Sequence, residues 1–183
     1  MDCFKENLIF IGLPGCGKSV ISEKVSKLFA MDLIDLDKLL INEIGPLQNY
    51  IDRYGNEEFK KKECQICSKY LSNIKDKVIS PGGSIVFYSN LMDYIKRKSI
   101  VIFLDVDINT VLQRTNNFKD RGVILPNNEI NKLTLQEQYN KLYEIRSELC
   151  KSYCDIHIKG NNITINQVIK DIITFKSGHV LRY

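Results

Sequence analysis

Apolar runs alternate with amphipathic segments along the chain. Largely apolar stretches at residues 8–11, 33–34, 78–80 and 100–104, and the alternating stretch at 155–158, read as strands. The fourth, Ile-Val-Ile-Phe-Leu, has no polar position, as a strand covered on both faces requires. Between these runs, apolar residues recur at helical spacing. Phe59, Ile66, Tyr70 and Ile74 share one side of a segment whose other positions are rich in lysine and glutamate. A second helical pattern runs from 134 to about 151. Its Thr134-Leu-Gln-Glu137 start has the form of a capping box, and Leu135, Tyr139, Leu142 and Ile145 follow as a stripe. Both stripes read as core. The alternation predicts an α/β fold with a mostly parallel sheet.

Two segments break the rhythm. Residues 116–132 carry Asn-Asn, Asp-Arg-Gly and Pro-Asn-Asn with few apolar positions, long for a connection and consistent with a lid. The tail after Phe175 has no clear pattern and reads as loosely ordered. With no internal repeat or second-domain boundary, the 183 residues read as a single domain.

Composition narrows the function classes. Hydrophobic residues make up 44% and charged residues 26%, ordinary for a soluble globular protein. The net charge of +4 is spread out, and Lys60-Lys61-Lys62 is the one dense basic spot, so nucleic acid is not implied. No stretch reaches membrane-spanning length and the N-terminus lacks a signal peptide's apolar core, so a cytoplasmic enzyme without a membrane partner is expected. Cys64-x-x-Cys67 and Cys150-x-x-x-Cys154 could supply four thiolates to zinc. Both pairs sit in helical patterns without zinc-knuckle turn residues, which favours small buried cysteines instead.

The chemistry starts at the first strand. Residues 8–19 read Leu-Ile-Phe-Ile-Gly-Leu-Pro-Gly-Cys-Gly-Lys-Ser, a strand running into G-x-x-x-x-G-K-[ST] at Gly12, Gly17, Lys18 and Ser19. Glycines here, with Gly15 among them, let main-chain N–H groups turn toward a polyphosphate. Lys18 suits the β- and γ-phosphates of ATP or GTP, and the Ser19 hydroxyl suits Mg²⁺. Ile21, Val25 and Leu28 then mark a helix whose N-terminal end points at the anion, with Cys16 and Val20 on the nucleotide-facing turn. Cys16 is expected to be partly exposed, and reactive toward alkylation or oxidation when nucleotide is absent. A merely small loop residue is the plainer alternative.

Three further clusters follow strand ends, where ligands bind in parallel sheets. Asp35-Leu36-Asp37 places two carboxylates there, on the same side by the alternation of an extended segment, one suited to Mg²⁺ and one to an acceptor hydroxyl. Asp37 also reads as the N-cap of a helix starting at Lys38, a role compatible with function. Ser80-Pro81-Gly82-Gly83-Ser84 leaves room for a substrate to lie against the backbone. Lys60, Arg114, Arg121 and Arg146 form a set of cations, of which Arg121, in the lid segment, suits a closing charge during phosphoryl transfer.

The order and spacing of these motifs resemble the shikimate kinase family over nearly the whole chain. Besides the phosphate loop and Asp35-x-Asp37, residues 55–63 resemble the family's Gly-Glu-x-x-Phe-Arg-x-x-Glu, and residues 80–84 its Gly-Gly-Gly element. The resemblance implies a P-loop NTPase fold, a five-stranded parallel sheet flanked by helices in the nucleoside-monophosphate-kinase style. An acceptor-binding subregion would span about 35–75 and a lid about 115–131. It also implies ATP as co-substrate and Mg²⁺ held by Ser19 and Asp35. Arg114 would lie near the adenine and Arg121 would act in the lid. Asp37, Lys60, Glu63, Gly82, Gly83 and Arg146 would form the acceptor site, with Arg146 gripping a carboxylate. The implied reaction phosphorylates a hydroxyl of shikimate, and the family default is a monomer.

Departures lie on the acceptor and lid side. Phe59-Lys60 replaces Phe-Arg, and lysine lacks the planar fork that grips a carboxylate. Ser84 replaces the third glycine, and Arg121-Gly122-Val123 replaces Arg-Pro-Leu. Relatives with such patterns include homoserine kinases, so homoserine stands as an alternative acceptor, its ammonium needing an acidic partner such as Glu63. A nucleoside-monophosphate kinase and a non-catalytic nucleotide-binding module are the remaining readings.

Overall fold

A computed structural model describes residues 7–114 and 133–180. Five strands form one parallel sheet: β1 (Asn7–Ile11), β2 (Asp32–Asp35), β3 (Lys77–Ser80), β4 (Ser99–Asp105) and β5 (Ile156–Lys159), ordered β2-β3-β1-β4-β5. All five fall within a residue or two of the apolar runs. β1 and β4 are buried at every position, as the apolar runs 8–11 and 100–104 at their centres demand. At the edge, β5 buries Ile156 and Ile158 and turns His157 and Lys159 outward, the period-two pattern of a strand covered on one face.

Polar side chains fix the register at the strand starts. The Asn7 amide donates to the carbonyl of Lys98 at 2.9 Å, and its oxygen accepts from the Lys77 N–H at 3.0 Å, tying β1 to the chain on both sides. Asp155 does the same for β5, its carboxylate accepting from the Val101 N–H at 2.9 Å.

Helix α1 (Lys18–Leu28) follows β1 and packs on β3 and β2. Helices α2 (Leu36–Ile44), α3 (Leu47–Tyr54) and α4 (Asn56–Leu71) follow β2 and gather a small core of their own from Leu40, Leu47, Phe59 and Ile66. A 3₁₀ turn (Ile85–Phe87) and α5 (Ser89–Lys98) lead from β3 to β4. Helix α6 (Ile108–Arg114) follows β4. Helix α7 (Leu135–Tyr153) opens on Thr134, whose hydroxyl accepts from the Glu137 N–H while the Glu137 carboxylate accepts from the Thr134 N–H at 2.7 Å. Helix α8 (Ile165–Val180) closes the described chain. Among the described residues no helix is long and apolar enough to cross a membrane.

Several expectations need correcting. Leu28 is 63% exposed, because the buried face of α1 runs through Ile21, Ser22 and Val25 and ends before the last turn. In α7 the stripe leaves the core at Ile145, 37% exposed, while Arg146, Ser147 and Cys150 carry the buried face onward. Ile74 is buried but lies past the end of α4. Of the tail after Phe175, residues 176–180 are described, and they are helical rather than loosely ordered. Residues 176–180 extend α8, since a helix already anchored by Val168 and Ile172 adds a polar turn without a new nucleation cost. The expected lid and its Arg121 fall outside the described residues.

Candidate active site

The phosphate loop and the glycine pair meet where β1 and β3 end side by side. The loop after β1 uses glycine where another residue would not fit. At Gly12 φ is +148° and a Cβ would stand 2.7 Å from the Leu104 carbonyl oxygen, so the first loop residue lies against β4. Gly15 and Gly17 also take positive φ, turning the chain into α1. Lys18 is buried and folds back over the loop, donating from Nζ to the carbonyls of Gly12 at 2.9 Å and Leu13 at 3.1 Å. Its ammonium is thus held inside the cradle that the backbone forms.

Cys16 departs from expectation. It is 3% exposed, turned inward beneath the loop with Lys18 Nζ 3.9 Å from its sulfur. The tight approach of Gly12, where a Cβ would meet the Cys16 sulfur at 2.9 Å, accounts for the small side chain. Packing, not reactivity, explains this residue.

The cap of α2 sits two residues earlier than expected. Asp35, not Asp37, is the N-cap, accepting from the Lys38 N–H at 3.2 Å and pairing with the Lys38 ammonium at 3.5 Å. The helix begins at Leu36, so strand alternation does not govern the pair. Asp37 occupies the first turn and turns into the cavity.

That cavity measures about 940 Å³, within the range of small-molecule sites. The loop from Gly15 to Val20 lines it, as do Asp37, Glu63, Gly82, Gly83, Arg114 and Arg146. Gly12 lies beneath the cradle. Asp35 and Lys60 are not on the cavity wall: Lys60 pairs with Glu57 at 2.7 Å in a separate groove along α4. Sequence reasoning missed the stretch Ile163-Thr164-Ile165, which lines the cavity after β5, although its place after a strand end was a usable signal. Arg114 stands with it, donating to Asn162 Oδ1 at 3.2 Å.

The glycine pair lets three charged side chains converge. A Cβ on Gly82 would lie 2.7 Å from Asp37 Oδ1 and 3.1 Å from Glu63 Oε1. One on Gly83 would lie 2.8 Å from Arg146 Nη1 and 3.4 Å from Pro14 of the phosphate loop. Glu63 is 3% exposed, and Ser84 Oγ and the Tyr88 hydroxyl donate to its two oxygens, each at 2.5 Å. Burial, with the nearby Asp37 charge, raises the Glu63 pKa above its ordinary value, against the pull of those two donors and of Arg146. Burial also lowers Arg146, 2% exposed and stacked over the Phe87 ring at 5.4 Å, to about 10, which leaves it charged at neutral pH.

The cysteine pairs lie apart, on α4 and at the end of α7, where burial raises the Cys67 thiol and pushes Cys150 up to about 12. Among the described residues no group of three or more His, Cys, Asp or Glu is placed to hold a metal. A divalent ion shared with phosphates needs only one or two protein oxygens, which the Ser19 hydroxyl and the Asp35 and Asp37 carboxylates offer.

The family model described as SKI: Shikimate kinase matches residues 14–176. A shikimate kinase of Clostridium botulinum (strain 657, type Ba4) is 30% identical over 167 residues, covering 90% of this chain and 96% of its own. One from Francisella tularensis subsp. holarctica is 27% identical over 171 residues, covering 93% and 94%. Among solved structures, the shikimate kinase from Acinetobacter baumannii in complex with shikimate superposes with a TM-score of 0.82 at 20% identity, covering 98% of this chain and 97% of that one. With the family model spanning most of its length, the chain belongs to the shikimate kinase family.

Proposed function

We propose that this chain transfers the γ-phosphoryl group of ATP to a hydroxyl of shikimate. The observation that carries the reading is the meeting of Asp37, Glu63 and Arg146 around Gly82–Gly83, directly against the phosphate loop in one cavity. A cation and two carboxylates beside a phosphate cradle fit an acceptor that carries both a carboxylate and hydroxyls. The shikimate-bound relative from Acinetobacter baumannii supports the same acceptor.

In this reading the loop amides and Lys18 hold the phosphates, Lys18 exchanging its carbonyl partners for phosphate oxygens. Ser19 and, once it leaves its pairing with Lys38, Asp35 would hold Mg²⁺, which when bound would neutralise charge on the phosphates. Arg114 and the stretch after β5 flank the nucleotide base. Asp37 accepts the hydrogen bond, and then the proton, of the acceptor hydroxyl. Arg146 grips the acceptor carboxylate, and Glu63 orients the acceptor from the opposite side. Lys60 adds positive charge once it leaves Glu57, and Arg121 supplies charge from the lid on closure. Positioning and electrostatics account for most of the rate enhancement.

The chain then works as one kinase domain, with an acceptor subregion at about 35–75 and a lid at about 115–131, as a monomer in the cytoplasm. Five free cysteines among the described residues fit a reducing compartment. ADP release measured with ATP, Mg²⁺ and a panel of shikimate, homoserine and nucleoside monophosphates tests the assignment. Shikimate should stimulate release; stimulation by homoserine alone would overturn it.

A further inference from the structure

Both oxygens of Glu63 are taken by hydroxyls from one short segment, Ser84 and Tyr88, at 2.5 Å each. We propose that Ser84 and Tyr88 are positioning residues for acceptor recognition, clamping the Glu63 carboxylate in one orientation against the glycine pair. The inference rests on the acceptor reading of this site.

The geometry leaves Glu63 little freedom. It projects from α4 into a buried space where Asp37 arrives from α2 and Arg146 from α7, with Cys67 on its own helix. The point a Gly82 side chain would fill is shared by oxygens of Asp37 and Glu63, so a rotation of either carboxylate changes what an acceptor meets there. Two charge-assisted hydrogen bonds, made by hydroxyls at the two ends of the 3₁₀ turn that follows the glycines, lock that rotation. They also favour the carboxylate over the carboxylic acid, opposing burial and Asp37. Tyr88 is the outer wall as well, lining the groove of α4 on its far side. Ser84 stands where the family resemblance has a third glycine, so this chain adds a hydroxyl at the point of contact.

The variants are mild. Ser84 has φ −83° and ψ −15°, which glycine adopts freely, so Ser84→Gly removes only the hydroxymethyl group. Tyr88→Phe keeps the ring. Initial rates of the full chain with ATP and Mg²⁺ are measured against shikimate concentration and pH for the parent, both single variants and Ser84→Thr. Each loss of a donor should raise KM for shikimate about tenfold, leave KM for ATP within twofold, and move the acid limb of kcat/KM to higher pH. Ser84→Thr, which keeps the hydroxyl, should restore KM and the pH profile. Unchanged KM and acid limb in both single variants, or an equal rise in KM for ATP, would overturn the clamp while the parent's activity stands. A parent that turns over ATP without a response to shikimate would instead overturn the acceptor reading, and the clamp with it.

Discussion

Replacing Gly83 by alanine tests whether the glycine pair shapes the acceptor site. The new Cβ would stand 2.8 Å from Arg146 Nη1, whereas ordinary van der Waals contact begins near 3.4 Å. It has no other way to turn, because Pro14 Cδ and the Gly12 carbonyl oxygen already bound it at 3.4 and 3.5 Å. The guanidinium must therefore yield by about 0.6 Å. Arg146 is enclosed and packed on Phe87, so it moves as a unit rather than swinging into solvent. A misplacement of 1 Å at a reacting geometry can cost ~100-fold, so roughly half of that displacement should cost about tenfold, or ~1.4 kcal/mol. Coupled ADP-release kinetics should show KM for shikimate rising about tenfold, with KM for ATP unchanged. A KM for shikimate within twofold of the parent would refute the assignment of Arg146 to the acceptor carboxylate, as would a matching rise in KM for ATP.

Four other outcomes follow from the same geometry. Lys18→Ala should lower kcat by at least ~1000-fold in the same assay, since the buried ammonium is the fixed positive charge of the cradle. Gly12→Ala should destabilise the fold by ~3 kcal/mol or more in urea titrations, because its Cβ meets the immovable Leu104 carbonyl, whereas Gly17→Ala meets nothing and should cost only ~1–2 kcal/mol for its positive φ. Asn7→Ala should cost ~2–4 kcal/mol by the same measurement, leaving two backbone partners unsatisfied beneath the sheet. The pKa of Glu63 is raised on folding, so the unfolded chain gives up this proton first. Parent stability relative to Glu63→Gln should therefore be greatest below the ordinary value of 4.5 and decline as pH rises from there through the raised value; a difference that grows with pH would contradict the burial argument.

The sheet was legible because its strands are simple. β1 and β4 are buried on both faces, and an unbroken apolar run has few other uses in a chain of this size. The phosphate loop was legible for a different reason: its glycines answer to backbone geometry, and a positive φ or a 2.7 Å approach to β4 leaves no other residue type. Helix faces were read less well at their ends. Leu28 and Ile145 continue the apolar spacing but outrun the surface that could cover them, and residues 176–180 extend a helix that they would not start themselves.

The candidate acceptor site was the hardest part to read, and α7 shows why. Apolar periodicity assigns a face by hydrophobicity, so it chose Ile145 over Arg146; the fold chose the reverse. A buried arginine is tolerated only where other groups meet its charge, and those groups, Glu63 and Phe87, come from other elements. No window of sequence around Arg146 contains them. The same holds for Asp35 and Asp37, two residues apart. The first caps α2 and the second lines the cavity from the first helical turn, because the strand ends at Asp35 and the helix begins at Leu36. Two side chains of this candidate site, Glu63 and Arg146, thus have a local pattern that disagrees with their burial, and in both the disagreement is resolved by partners more than twenty residues away. Ser84 and Tyr88 repeat the logic: an ordinary serine and tyrosine by local reading, they acquire a role only because α4 delivers Glu63 between them.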